Sequence, residues 1–212
     1  MTVPPWLVAP ESDRVVPMID AQGQYAFHAG CNRNTRSQDA VTRIVCHWTG
    51  GTGGAERVVR TLAKNALSIH YVVEPSGRIV QTATHDTRCA HAGVANDGSI
   101  GIEVVSRGYP TRADDEHDTY TIGGRRVRCL RWPAEQMHSV VWLVEALCGE
   151  LGVPRVIPGE NGEVSLSRRG GPHGWVKLAG VIGHLHVHSK KDDPGGALFH
   201  ELAQEGFALG DV

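Results

Sequence analysis

Runs of apolar residues divide the chain into predicted strands and helices. Short apolar runs predict strands over 43–47, 70–74, 78–82, 99–105 and 179–187. Apolar residues at helical spacing predict helices over 55–66, from Trp132-Pro133 to Leu151, and from Ala197 onward. Some of these strands are joined by a tight turn and others by a helix. The pattern therefore predicts an α/β domain with a mixed central β-sheet flanked by helices.

Segments rich in glycine, proline and polar residues separate these elements. Residues 1–41 have little periodicity and are predicted to form an N-terminal arm packed on a domain that spans 42–212. Residues 106–131 are predicted to be a loop with a small excursion that turns at Gly123-Gly124, and 154–178 to be a long surface loop. Together with the helix between them, these loops form a predicted insertion at about 106–178.

Composition narrows the class of protein. A chain of 212 residues fits one domain, and a net charge of −2 argues against capture by nucleic acid or an anionic membrane. No apolar stretch approaches the ~20 residues that span a bilayer. The first residues, MTVPPWLVAPESDR, have no basic leader before an apolar run, which predicts synthesis in the cytoplasm without a signal peptide. The five cysteines have no close pair spacing, so we expect most to be reduced. One disulfide is kept as an alternative.

Histidine is unusually frequent, with 12 residues, and raises the expectation of metal chemistry. His47 ends the first apolar run before the loop TGGTGG, His184 lies in the last predicted strand, and Asp193 follows nine positions later. Two imidazoles and one carboxylate would leave a fourth zinc position open for water, whose pKa zinc lowers to about 7. Taken alone, His47 also fits a histidine at the edge of the core.

Four segments carry a resemblance to a known family. They are, in order, RIVCHWTGG, SIHYVVEPSGRIVQ, RCAHAGVANDGSIGIEVV and VIGHLHVHSKKDDPGG. Together they resemble the N-acetylmuramoyl-L-alanine amidases of the phage-lysozyme and peptidoglycan-recognition type, from about Arg43 to about Leu202. The resemblance implies a zinc site in a surface groove. It also implies hydrolysis of the amide bond between N-acetylmuramic acid and L-alanine in peptidoglycan.

The resemblance implies that His47, His184 and Asp193 are the zinc ligands. The separation of His184 and Asp193 is one residue shorter than is usual in the family. His186 is therefore kept as an alternative ligand, because a strand would place it on the same face as His184. Asp192 is kept as an alternative to Asp193.

The resemblance also implies roles in catalysis and substrate binding. Glu103 matches the acidic residue that faces the metal-bound water, and we expect it to move the proton from water to the leaving nitrogen. Lys191 matches a basic residue that would stabilise the oxyanion. His70 and His91 are predicted to lie near the groove as substrate-binding residues, with His91 touching substrate. Structural hydrogen bonding is the alternative for both.

Three further histidines and two neighbours of His47 are predicted to have no part in the chemistry. His85, His173 and His200 are predicted to lie at the surface. Trp48 is predicted to pack against the core, with a place in the floor of the groove as the alternative. Cys46 is predicted to point away from His47 and be buried.

Other functions remain open at this stage. A non-catalytic peptidoglycan-binding module would have the same fold, and a zinc peptidase is a further alternative, although the chain has no H-E-x-x-H motif. We expect a monomer that acts on the cell wall as a phage-type endolysin after release through a holin or another route. A cytoplasmic muropeptide-recycling amidase and an antibacterial effector are the alternatives.

Overall fold

The computed structural model describes residues 15–18, 33–169 and 174–212. The helices are α1 Ala55–Lys64, α2 Ala134–Leu151, α3 His184–Val187 and α4 Ala197–Gln204. The strands are β1 Val15–Pro17, β2 Arg33–Thr35, β3 Arg43–Trp48, β4 Tyr71–Val73, β5 Ile79–Gln81, β6 Thr87–Arg88, β7 Ser99–Val104, β8 His117–Ile122, β9 Arg125–Leu130, β10 Val156–Glu160, β11 Glu163–Val164, β12 Gly180–Gly183 and β13 Ala208–Gly210. The predicted α/β class is confirmed.

A six-stranded sheet with the order β1-β5-β4-β7-β3-β12 is the centre of the molecule. Strands β4 and β5 pair in antiparallel fashion, whereas β7, β3 and β12 pair in parallel. The sheet is therefore mixed, as predicted. The hairpin of β4 and β5 follows from its turn residues, and Gly77 adopts a φ of 81° there.

Strands β3 and β7 present different chemistry on the two faces of this sheet. Ile44 and Cys46 of β3 join the core cluster under α2 and α4, together with Ile100 and Ile102 of β7. Because side chains alternate along a strand, His47 projects from the opposite face. Cys46 is fully buried and faces away from His47, which confirms that prediction.

The two long helices cover opposite faces of the sheet. Helix α1 buries Val58 and Val59 in a small cluster with β4 and β5, and Glu74 accepts a hydrogen bond from its first amide at 2.8 Å. Helix α2 begins after Pro133 and ends at Gly152, whose φ of 67° suits a glycine cap. In the described part of the chain, no helix is both long and apolar enough to span a bilayer.

The predicted surface loop at 154–178 was wrong in its first half. Strand β10 begins at Val156 and pairs with β11 and, in parallel, with β13 from the end of the chain. Pro158 and Gly159 lie inside this strand, and these residue types usually interrupt strands. The carbonyl oxygen of Pro158 still accepts a hydrogen bond from the amide of Ser165. Because proline has no backbone N–H, only the hydrogen bond that this position would donate is missing from the strand.

The predicted excursion within 106–131 is larger than expected. Strands β8 and β9 form a hairpin that turns at Gly123 and Gly124, and both glycines have positive φ values, of 53° and 79°. Two consecutive residues with positive φ match the tight turn that favours this twist. The turn position is confirmed, but the loop assignment of the flanking residues was wrong.

The last predicted strand ends early. Strand β12 stops at Gly183, and His184–Val187 forms the single helical turn α3. The alternation of histidines in HLHVH indicated a strand, but a helix rotates consecutive residues by about 100°. His184 and His186 therefore do not share a face.

Two described pieces of the predicted N-terminal arm join the fold. Strand β1 adds to the sheet edge beside β5, and β2 pairs with β6. The boundary between an arm and a catalytic domain at residue 42 stays a prediction. His173 lies outside the described residues. His200 is exposed as predicted, whereas His85 is fully buried against Tyr71, so its surface prediction was wrong.

The side chain of Arg36 holds the loop before β7 through hydrogen bonds to its backbone. Its guanidinium donates to four backbone carbonyl oxygens at 2.7–3.2 Å, those of His85, Asn96, Asp97 and Ser99. Burial lowers the pKa of this guanidinium to about 10. Loss of the side chain would remove all four of these hydrogen bonds.

We expect Arg36→Ala to lower the free energy of unfolding by about 2–4 kcal/mol, because hydrogen bonds from charged groups contribute about 1.5–3 kcal/mol each and the lost bonds are partly compensated by water. Urea unfolding of the purified variant measures the change. Arg60→Ala is the matched control, because Arg60 is exposed and its ion pair with Glu56 is long at 4.0 Å. Equal destabilisation by both variants would contradict a special role for Arg36.

Candidate metal centre

The carboxyl ends of three parallel strands converge at one edge of the central sheet. His47 lies near the end of β3, and Glu103 is its register partner on β7. On the other side of β3, Gly183 ends β12, and His184 follows it directly as the first residue of α3. Sites in sheets of this kind commonly form where parallel strands end, because the loops that follow open a crevice there.

Three candidate ligand atoms form a nearly equilateral triangle. Nδ1 of His47 lies 3.1 Å from Nδ1 of His184 and 3.2 Å from Oδ2 of Asp193, and the third side measures 3.0 Å. His47 and Asp193 are buried, and the side chain of His184 is 15% exposed. The structure thus brings together the three residues that the sequence predicts as ligands.

These three contacts cannot all be hydrogen bonds. A carboxylate oxygen only accepts, so each imidazole Nδ1 would have to carry a proton toward Asp193. The two protonated nitrogens would then face each other at 3.1 Å without an acceptor between them. Three lone pairs directed at one shared point are instead the arrangement of a metal site. Tetrahedral zinc with bonds of about 2.0–2.1 Å places its ligand atoms about 3.3 Å apart, which is close to the observed triangle.

The two alternative ligands are occupied elsewhere. His186 is fully buried, where its Nδ1 accepts the amide of Gly183 at 2.9 Å and its Nε2 donates to the carbonyl of Ser165 at 2.9 Å. Asp192 accepts a hydrogen bond from Tyr109 and forms an ion pair with Arg168. Among the described residues, neither alternative belongs to a metal-like cluster.

Backbone contacts hold Asp193 in place. Its carbonyl oxygen accepts a hydrogen bond from the amide of Leu185 at 2.8 Å, which ties the loop to the first turn of α3. Burial raises the pKa of the Asp193 carboxyl, but contacts with the imidazoles of His184 and His47 lower it by more. The net result is a pKa below the usual range. Burial lowers the pKa of His47 to about 4, so its imidazole is neutral at physiological pH. A carboxylate and neutral imidazoles are the protonation states that metal ligands require.

Glu103 stands beside this triangle with an unpaired oxygen. It is 8% exposed, and its Oε2 is buried with no hydrogen-bond partner among the residues that the structure describes. Burial raises the pKa of Glu103 to about 8; the charge of Asp193 adds to the shift and that of Lys191 opposes it. A buried carboxyl oxygen without a partner lowers the stability of the fold. Such groups are therefore found mainly where they have a function.

The raised pKa of Glu103 has a consequence for stability. Between about 4.5 and about 8 the folded protein keeps a proton on Glu103 that the unfolded chain loses, so the free energy of unfolding falls as pH rises. Buried His47 acts in the opposite direction between about 4 and 6.5, where the unfolded chain binds more protons and stability rises with pH.

We expect Glu103→Gln to remove the decrease in the free energy of unfolding above pH 6. At pH 8 the metal-free variant should be more stable than the metal-free wild type by about 1–3 kcal/mol, since one pKa unit corresponds to about 1.4 kcal/mol. Urea unfolding in chelator at several pH values measures this. Glu56→Gln changes an exposed carboxylate and is the control. Parallel pH profiles for wild type and Glu103→Gln would refute the explanation.

Lys191 is exposed in the loop that leads to Asp193. Its amide donates to the carbonyl of His188 at 3.1 Å, which holds the backbone of this loop. Its charge reaches the site, because it lowers the pKa of both His47 and Glu103. A role in oxyanion binding stays a prediction.

His70 and His91 lie behind the triangle. His70 is fully buried; its Nδ1 accepts the amide of Gly101 at 2.9 Å and its Nε2 lies 2.9 Å from the carbonyl of Thr87. His91 is half-buried, and its Nδ1 lies 3.0 Å from Nε2 of His47. These contacts favour the structural alternative for His70, and substrate contact by either residue stays a prediction.

Cavities border the triangle on two sides. One of about 230 Å³ is lined by the loop at 49–52, by α1 and by Glu103. Another of about 500 Å³ is lined by residues 92–94, Arg168, His184 and His188. A cavity of about 550 Å³ along α2 contains none of the predicted site residues. An extended substrate could therefore reach the triangle from either side of the crevice.

Several residues around the site were missed from the sequence. Ser99 and Asn96 hold His91 through hydrogen bonds, and Tyr109 contacts both Asp192 and the Trp48 ring. Trp48 packs against the core, as predicted. The polar positions Ser99 and Glu103 alternate with apolar residues along β7, and that alternation was the available signal for a polar face at this strand.

Comparison with known proteins agrees with this geometry. A family model described as N-acetylmuramoyl-L-alanine amidase matches residues 36–196. The chain belongs to this family. Its enzyme class is accordingly that of the N-acetylmuramoyl-L-alanine amidases. A comparison with curated proteins finds no match.

Solved structures of amidases and of a recognition protein share the fold. The amidase AmiD from E. coli, in complex with anhydro-N-acetylmuramic acid-L-Ala-D-gamma-Glu-L-Lys, is 22% identical with a TM-score of 0.54; the match covers 80% of this chain and 59% of AmiD. The endolysin LysCS from Clostridium intestinale is 13% identical with a TM-score of 0.54, over 93% and 96% of the two chains. Drosophila peptidoglycan recognition protein SD is 18% identical with a TM-score of 0.53, over 96% and 99%.

Proposed function

We propose that this amidase is zinc-dependent and hydrolyses the bond between N-acetylmuramic acid and L-alanine in peptidoglycan. The observation that carries the proposal is the triangle of His47, His184 and Asp193, whose ligand atoms lie 3.0–3.2 Å apart. These residues leave a fourth position for water or substrate. A zinc ion bound there would polarise the scissile carbonyl and lower the pKa of water to about 7.

Glu103 is proposed to be the general base and acid. Its carboxyl is buried, and within the described part of the chain its Oε2 has no hydrogen-bond partner that would compete for a proton. Beside a bound cation the carboxylate form is favoured, so Glu103 can accept a proton from water. Burial raises its pKa, so it can return that proton to the departing nitrogen of alanine.

Lys191 is proposed to stabilise the negative charge that develops on the carbonyl oxygen. Its side chain is exposed at the mouth of the site, and a flexible ammonium group can follow an oxygen as it gains charge. His91 and the loop at 49–52 would border the bound sugar and peptide. The open cavities on both sides of the triangle suit a polymer that lies across the surface.

A phage-type endolysin is the proposed biological role. The chain and the endolysin LysCS match over nearly their full lengths. A second candidate is a muropeptide-recycling amidase, because AmiD was solved with a soluble anhydromuropeptide. A binding-only role, which the shared fold of the Drosophila recognition protein raises, is opposed by the complete ligand set and by Glu103.

Product analysis tests the reaction. Purified cell wall and a soluble anhydromuropeptide are digested in parallel, and new termini are labelled and identified by mass spectrometry. We expect new alanine N-termini and intact glycan strands. New reducing sugar ends would indicate a glycosidase, new termini inside the peptide a peptidase, and no products a binding module. Faster digestion of cell wall than of the soluble fragment supports the endolysin, and the reverse supports recycling.

A further inference from the structure

Behind the metal triangle, a chain of hydrogen bonds leads from His47 into the core. Nε2 of His47 lies 3.0 Å from Nδ1 of His91, and Nε2 of His91 lies 3.2 Å from Oγ of Ser99. The Ser99 hydroxyl lies 2.7 Å from the carbonyl oxygen of Ala95. The chain thus has four polar groups and ends on a backbone acceptor.

Only one arrangement of protons satisfies every member while leaving the metal position free. A backbone carbonyl accepts, so the Ser99 hydroxyl donates to Ala95, and its oxygen accepts the Nε2 proton of His91. His91 then has a lone pair on Nδ1, which accepts the Nε2 proton of His47. A neutral His47 that carries its proton on Nε2 presents the lone pair of Nδ1 to the metal.

The reverse arrangement would obstruct the centre. If His91 donated from Nδ1, neutral His47 would carry its proton on Nδ1, inside the triangle and directed at Asp193 at 3.2 Å. The Ser99 hydroxyl would then have to donate to His91, and the carbonyl of Ala95 would lose this donor. Because Ser99 and Ala95 are fully buried, water does not replace the lost contact.

The fold holds His91 in position for this contact. Its amide and that of Ala92 donate to Oδ1 of Asn96 at 3.0 and 2.7 Å, so the loop before β7 is fixed on the ring's backbone side. Gly101 leaves room for the ring, since a Cβ there would come within 2.8 Å of His91 Nδ1. The ring therefore fills a space shaped by neighbouring strands.

The other histidine of the triangle lacks such support. Within the part of the chain that the structure describes, no protein group lies within hydrogen-bonding distance of Nε2 of His184, whose side chain is 15% exposed. Solvent can hydrate that nitrogen. The chain to Ser99 thus serves His47 alone.

We infer that His91 and Ser99 are positioning residues that hold His47 in the tautomer that binds metal through Nδ1. The inference rests on the proposed zinc centre. It assigns to His91 a contact on the protein side of the site, in addition to any contact with substrate. Residues that support metal ligands in this way typically change metal affinity 10- to 100-fold when removed.

Zinc affinity, measured by competition with a chromogenic chelator, tests the inference without reference to turnover. We expect His91→Ala to weaken zinc binding about 10- to 100-fold, and Ser99→Ala to weaken it less. His91→Gln supplies a side-chain carbonyl that can accept from His47, and should restore part of the affinity. His138→Ala removes an exposed histidine of α2 and should bind zinc as wild type does.

Imidazole nitrogen NMR of the zinc-loaded wild type provides a second readout that needs no variant. We expect protons on Nε2 of both His47 and His91. A proton on Nδ1 of His91, or zinc affinity of a folded His91→Ala protein equal to wild type, would overturn the inference. A wild-type protein that binds no zinc would instead overturn the proposed metal centre, so the two failures are distinguishable.

Discussion

Asp193→Ala is expected to lose both bound zinc and detectable hydrolysis. The variant removes one corner of a triangle whose sides are 3.0–3.2 Å, and it leaves two imidazoles with no carboxylate partner. Elemental analysis after purification without added metal should fall from about one zinc per chain to below about 0.1, because metal sites depend on their full ligand count.

The neighbouring carboxylate provides the control for this experiment. Asp192→Asn alters a side chain bound by Tyr109 and Arg168 and should leave zinc near stoichiometric. If Asp192→Asn lost zinc and Asp193→Ala kept it, the ligand assignment would be reversed. Full activity of Asp193→Ala in strong chelator would remove zinc from the mechanism.

Glu103→Gln is expected to keep zinc and the fold but to lower kcat by about 100- to 10,000-fold, the usual contribution of a general acid–base group. The amide is nearly the same size as the carboxyl, so the cavity beside residues 49–52 should persist. The amide cannot, however, accept a proton from water and pass it to the leaving nitrogen. Steady-state rates on a soluble muropeptide, together with zinc content, measure the effect.

Glu56→Gln changes an exposed carboxylate on α1 and should leave kcat unchanged. Near-normal turnover of a zinc-loaded Glu103→Gln protein would mean that another group moves the proton. With the stability experiment above, this variant is expected to be both slower and more stable at pH 8. That combination is typical of active-site groups whose environment opposes their charge.

The central sheet could be predicted because its strands are short apolar runs bounded by turns. The runs at 43–47 and 99–105 became β3 and β7, and their parallel register placed Glu103 beside His47. The segment VIGHLHVH was harder, since its alternation fits a strand, whereas the structure continues it as α3. Local pattern does not reveal that the loop carrying Asp193 must contact Leu185.

Long-range hydrogen bonds account for most of what the sequence did not reveal. Arg36 contacts carbonyl groups about 50–60 positions away, and His91 meets His47 across 44 positions. No periodicity encodes such pairs. Strand β10 was missed for a different reason, because its proline and glycine conceal a strand that depends on β13 near the end of the chain.

The two proposed histidine ligands lie 137 positions apart along the chain, and this separation affects when the site can form during synthesis. During synthesis the growing polypeptide holds only one of the three proposed ligands until residues 184–193 have also been added. A chain that stops before His184 would therefore lack two of the three proposed ligands. A bound ion would connect β3 with the segment that follows β12, and its release and the opening of this sheet edge would be linked equilibria.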